Sequence, residues 1–284
     1  MRNSPLVLLA ALLGAAIPAA NAACLSDAEV SALYEAYNAR TPAVNPEGLS
    51  AADGECTRGK LNRLLEAKLG KPVGYKAGLT NPAVQKRFNH DSPVWGTLYA
   101  PMLLANGASV DAAFGARPLY EADLLVRVSD AAINRARSVD EVLRAIDQVI
   151  PFIELPDLVV AAPPKLNGAA ISAINVGARL GVTGTPIAVQ RSAEFSEALR
   201  NMVVVVKADG AEVDRGKGSD VLEHPLNAVV WLVQDMAREG KSLKVGDVVS
   251  LGSFSKLMPP KAGLAVEVSY QGLPGNPAVT VRFK

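Results

Sequence analysis

Cysteine and histidine are scarce in this 284-residue chain, with two of each. Zinc-finger and iron–sulfur architectures need more of both and are excluded. Aromatic residues make up 5%, too few for a surface built to stack unpaired bases. An excess of one charge is also missing, since 29 Lys and Arg face 28 Asp and Glu. Bulk charge therefore steers the chain to neither nucleic acid nor an anionic membrane. No GxSxG elbow, HExxH pair, GxGxxG turn or P-loop occurs, which argues against serine hydrolase, zincin and nucleotide-binding chemistry. What remains is a globular composition, 49% hydrophobic and 20% charged, long enough to bury a large core without disulfides.

Residues 1–22 read as a signal peptide. Arg2 gives the positive start, Leu6 to Ile17 a short apolar stretch, and Ala20-Asn21-Ala22 the small residues a signal peptidase recognises. The apolar run is too short to span a bilayer comfortably. Cleavage after Ala22 places the mature chain in the periplasm or outside the cell, with no stable membrane insertion. Cys24 and Cys56 fit an oxidising compartment, where two lone cysteines pair. Lipidation of Cys24 is the competing reading, although Asn21 stands where a lipobox prefers Leu.

Beyond the signal the pattern divides into a helical section, 23–72, and a β-rich body, 73–284. Helices are expected over Ser26–Asn38 and Ser50–Leu69. Residues 73–107 are rich in Gly, Pro and Asn and read as loops with short strands. A strand follows over Leu119–Val128, then a helix with a Ser138/Glu141 capping box that ends before Pro151, then a short strand at Phe152–Leu155. From Ile171 the chain reads as mostly β, with a hairpin turn at Asp209-Gly210 and a helix over Pro225–Arg238. The plan is α+β.

Three constellations could carry chemistry. In Glu121-Ala122-Asp123 the strand period puts both carboxylates on one face, where they repel unless a cation or proton intervenes. Glu154 is a third acid in an apolar strand, and three such oxygens suit Mg²⁺ or Mn²⁺. Lys76, between Gly74 and Gly78, is a candidate proton carrier. Gly216-Lys217-Gly218-Ser219 could cradle an anion, and His224 precedes a helix whose dipole disfavours its protonation.

In this order, Gly74–Thr80, Gly96-Thr97-Leu98, Glu121-x-Asp123, Glu154, Gly216-x-Gly218-Ser219 and His224-Pro-Leu-Asn-Ala228 resemble the 2-keto-4-pentenoate hydratase branch of the fumarylacetoacetate hydrolase superfamily. The resemblance spans roughly residues 50–284. It implies a mixed β-roll and a homo-oligomer, with Mg²⁺ or Mn²⁺ held by Glu121, Asp123 and Glu154. A small keto acid or 2-hydroxy-dienoate would chelate that metal. Lys76 would move a proton or orient substrate, with Gly78, Leu79 and Ser219 beside it, and Asp91 and His224 stand in reserve as general bases. The chain departs from the family pattern in several places. Asp123 replaces a Glu, Val94 an Asp and Leu119 a basic residue. Ala173-Ile174-Asn175 lacks the acids of an Asp-Asn segment, and Gly252-Ser253-Phe254-Ser255 replaces a glycine-alanine turn. These departures set two expectations side by side: a metal-dependent lyase of hydratase type, with decarboxylation or C–C hydrolysis open to it, or a non-catalytic periplasmic binding protein on the same fold.

Overall fold

The computed structural model describes residues 24–284; the signal peptide expected over residues 1–22 lies outside them. Two helices open the chain, α1 (Asp27–Ala39) and α2 (Ala51–Leu69), each begun by a reciprocal capping box, Ser26 with Glu29 and Ser50 with Asp53. Cys24 and Cys56 are bonded, with Cα atoms 5.7 Å apart, so the residues before α1 are pinned to α2. Leu25 N–H adds a bond to Thr57 Oγ1 at 3.1 Å.

Residues 73–107 hold more regular structure than their Gly and Pro content suggests: β1 (Pro72–Gly78), α3 (Pro82–Arg87), β2 (Val94–Tyr99) and β3 (Leu103–Ala105). Short strand β4 (Ala108–Val110) leads to β5 (Glu121–Val128). Helix α4 (Val139–Ala145) ends earlier than the sequence pattern suggests, and strand β6 (Ile146–Leu155) runs straight through Pro151. The missing N–H is harmless there, because β6 pairs with β8 (Ile187–Ala188) up to Val149 and with β7 (Leu180–Thr183) from Phe152 onward. Pro151 occupies the gap between them. The Ser138 cap is likewise half of what was expected: its hydroxyl accepts from Glu141 N–H, but Glu141 turns to Arg137 N–H instead of closing a box.

Helix α5 (Gly168–Ala173) and helix α6 (Ala193–Asn201) interrupt the region read as mostly β. The Asp209-Gly210 turn joins β9 (Val203–Ala208) to β10 (Ala211–Lys217), both turn residues having positive φ. Helix α7 (Asn227–Arg238), β11 (Val248–Ser250), β12 (Ala265–Gln271) and β13 (Ala278–Phe283) complete the chain.

The larger sheet runs β2-β1-β11-β5-β6-β7-β3 with β8 beside β6; the smaller runs β10-β9-β12-β13-β4. The main core lies between them and under α4, α6 and α7, built from Leu124, Val126 and Val149 facing Val204, Val266 and Val268, all at most 1% exposed. Each such side chain contributes roughly 1.5–3 kcal/mol by leaving water. A second core joins α1, α2 and α5 to β2. This is the expected α+β roll. Even-numbered residues of β5 fill the main core, so its odd-numbered residues, Glu121, Asp123 and Leu125, face the opposite side of the sheet.

Candidate active site

Strand register gathers the acids. Glu121 lies opposite Glu154 on the β5–β6 ladder, and Asp123 follows two residues on, opposite Phe152. On the other side of β5, β11 aligns Ser250 with Leu125, and β1 aligns Lys76 with Ser250. Three carboxyl groups, one ammonium and one hydroxyl thus share a sheet face.

Lys76 is 3% exposed and its ammonium has two partners, Glu154 Oε1 and the Val176 carbonyl at 2.9 Å. That carbonyl is delivered by an unusual turn. Asn175, Val176 and Gly177 all have positive φ, at 54°, 53° and 66°. A β-branched residue is strained there by roughly 1–3 kcal/mol, which surrounding contacts must offset. Asn175 Oδ1 accepts from Thr97 N–H at 2.8 Å and its Nδ2 donates to Thr97 O at 3.0 Å. Gly177 O accepts from Asp157 N–H at 2.9 Å. Gly96 lets the turn approach, since a Cβ there would lie 2.4 Å from Asn175 O.

Asp123 is fully buried. Its Oδ1 accepts from the amides of Leu124, Leu251 and Gly252 at 2.5, 3.2 and 3.1 Å, and its Oδ2 from the Ser250 hydroxyl. Gly252, at φ 102°, can be only glycine, because a Cβ would stand 2.1 Å from Thr80 Oγ1. Burial, then the Glu154 charge, pushes the Asp123 carboxyl upward against the pull of Ser250 and the Leu124 amide. The same two causes, in that order, hold Glu121 well above the usual carboxylate range.

A cavity of about 580 Å³ opens onto this face, lined at its polar end by Lys76, Glu121 and Glu154, and by Gly78 and Leu79 beside them. Apolar wall comes from Phe88, Leu158, Ile171, Val176 and Leu257, while Arg87, Arg215 and Lys256 add cationic side chains. Asp123 sits behind the lining. Val94 is buried in the second core, with Cγ2 3.6 Å from where a Gly78 Cβ would stand.

Three further candidates from the sequence lie outside the cavity wall. Asp91 is exposed in the turn before β2. Ser219 falls one residue short of Asp220, which does line it. His224 is held elsewhere: Nδ1 accepts from Leu226 N–H at 3.1 Å, which leaves the proton on Nε2, 3.1 Å from Ser196 O. Burial lowers its pKa, so it caps the approach to α7 as a neutral ring. One residue not singled out, Ser250, holds the Asp123 side chain in place; a lone Ser in an apolar strand gives little warning in the sequence.

The donor set suits a hard divalent cation. Three carboxylates and one ammonium leave a formal charge of −2, which burial makes costly and a divalent cation would cancel. Their oxygens do not all lie within 4.8 Å of one another. Among the described residues the trio that does is Glu55, Asp235 and Glu239. That trio is already balanced by Arg58 on Glu239, Arg238 on Asp235 and Lys241 on Glu239.

The model of the fumarylacetoacetate (FAA) hydrolase C-terminal domain matches residues 76–280, and the chain belongs to that family. It is similar to 2-keto-4-pentenoate hydratase 1 of Dechloromonas aromatica (strain RCB), 29% identical over 262 residues, covering 90% of this chain and 97% of the relative. In structure it is similar to 4-oxalocrotonate decarboxylase from Pseudomonas putida G7, solved with calcium and acetate (TM-score 0.80) and with magnesium and adipate (TM-score 0.79). Each superposition has 27% identity and covers 92% of this chain and all of the other.

Proposed function

We propose that the chain is a divalent-cation-dependent lyase of hydratase type acting on a small 2-keto or 2-hydroxy-dienoic acid. Decarboxylation is open to the same site. The observation that carries this reading is the sheet face itself: Glu121 and Glu154 beside the Lys76 ammonium at the polar end of a cavity, with Asp123 behind them. Similarity to a hydratase over nearly the whole chain, and to a decarboxylase solved with calcium or magnesium, supports it.

Glu121 and Glu154 would hold Mg²⁺ or Mn²⁺ from the cavity wall, with the buried Asp123 behind them. A bound cation stabilises negative charge on the 2-oxygen of a keto acid. Lys76 is fixed by Val176 O and Glu154, so it offers a positioned N–H to substrate and can pass a proton at its Nζ. The apolar wall of Phe88, Ile171 and Leu257 limits water around the carbon chain. The Cys24–Cys56 bond supports the further proposal that the chain is exported and works in the periplasm or outside the cell.

The test is exchange at carbon. With Mg²⁺ and 2-oxopentanoate in D₂O, the wild type should wash deuterium into C3, followed by proton NMR, and Lys76→Met should not. No exchange above a protein-free Mg²⁺ control would contradict the proposal.

A further inference from the structure

One buried hydroxyl touches the carboxylate strands from the side away from the cavity. Tyr270 belongs to β12 in the smaller sheet and is fully buried in the main core. Its side chain reaches across that core to the larger sheet, where its oxygen meets the backbones of β5 and β6 together. Phe152 N–H donates to the phenolic oxygen at 3.1 Å, and the carbonyls of Asp123 and Phe152 both stand within hydrogen-bond reach, the latter at 2.9 Å.

Asp123 and Phe152 are register partners, and the next pair on the same face is Glu121 with Glu154. The hydroxyl therefore sits between the two strands one same-face step from the facing carboxyl groups. A phenol carries one proton, so it donates to one carbonyl at a time while accepting from Phe152. Burial pushes its pKa upward, which keeps it a donor.

We propose that Tyr270 is a positioning residue for the carboxylate site, its hydroxyl wedged between Asp123 and Phe152 to set the separation at which β5 and β6 present Glu121, Asp123 and Glu154. This rests on the reading of that face as a cation site. Without the hydroxyl, the Phe152 amide and the Asp123 and Phe152 carbonyls lose the group that bridges them. The strands stay paired, but the acids move. Tyr270→Phe is thus a small change to the fold and a large one to the site.

The experiment titrates MnCl₂ calorimetrically into chelator-stripped protein, using wild type, Tyr270→Phe and Tyr99→Phe. Tyr99 supplies the control: it is as buried, and its hydroxyl bonds Asn62 instead of the acid strands. Hydrogen exchange over residues 121–125 and 150–155 is measured in the same samples. Tyr270→Phe should weaken Mn²⁺ binding roughly 10- to 100-fold, the usual effect of losing an outer support of a metal site. Tyr99→Phe should leave it unchanged. Equal affinity in Tyr270→Phe and wild type would overturn the proposal. If the wild type itself binds no Mn²⁺, the cation reading fails separately and exchange decides the role of Tyr270. Faster exchange confined to the two segments supports the wedge; unchanged exchange overturns it.

Discussion

The Ser250 hydroxyl donates to Asp123 Oδ2, and both side chains are fully buried. With three backbone amides on the other oxygen, the Asp123 carboxyl group is held by hydrogen bonds at the root of the site. The carboxyl is thereby kept in a fixed place behind the cavity lining.

Ser250→Ala removes one of those donors and leaves Asp123 Oδ2 buried without it. The expected loss is about 1–3 kcal/mol of folding stability, read from urea unfolding at neutral pH. Stability equal to the wild type would mean that the hydroxyl does not hold Asp123.

Asn175→Ala strips the turn of its bonds to Thr97 and of a residue tolerant of positive φ. The Thr97 amide and carbonyl lose their partner, which should cost about 1–3 kcal/mol in urea unfolding. The wild-type C3 exchange should fall with it, because Val176 O no longer fixes Lys76. Unchanged exchange would detach the turn from the chemistry.

The Cys24–Cys56 bond closes a loop of sequence separation 32. Mass spectrometry without reductant should show the mature chain two protons lighter than its reduced form. The double Ser variant should lose about 3–4 kcal/mol on the loop-entropy account. Two free thiols in protein purified without reductant would refute the bridge.

His224 gives a pH effect of known sign. Burial holds its folded pKa below the ordinary 6.5, so below that pH the unfolded chain takes up a proton that the folded chain resists. Its contribution is intact above 6.5 and is lost as pH falls toward the depressed folded value. Denaturation at pH 7.5 and 5.5, roughly one unit either side of the ordinary histidine value, should show a smaller acid loss in His224→Asn than in wild type. An identical loss would place the acid sensitivity elsewhere.

Much of this molecule could be read from its residues, and the reasons differ by element. The Asp209-Gly210 hairpin and the two helices that begin at Ser26 and Ser50 follow from local chemistry, and the structure keeps them. The single face of Glu121 and Asp123 follows from strand period alone. Pro151 inside β6 did not follow, because its tolerance depends on two partner strands that leave a gap beside it. The turn at Asn175–Gly177 was equally hidden: three left-handed residues in a row are imposed by Thr97 and Asp157 from distant parts of the chain. Sequence order also placed His224 among the candidate bases, whereas its ring is consumed by the backbone before α7. Local propensity reports caps and periods; it is silent on what distant strands demand.

The central claim is that the Glu121–Glu154 pair, backed by Asp123, holds a divalent cation. Mn²⁺ titrated by calorimetry into chelator-stripped wild type and Glu121→Ala tests it most directly. The account expects heat of binding in the wild type and none in Glu121→Ala, with both proteins equally folded by circular dichroism. Equal binding in the two proteins would move the cation away from this sheet face, and binding in neither would contradict the account outright.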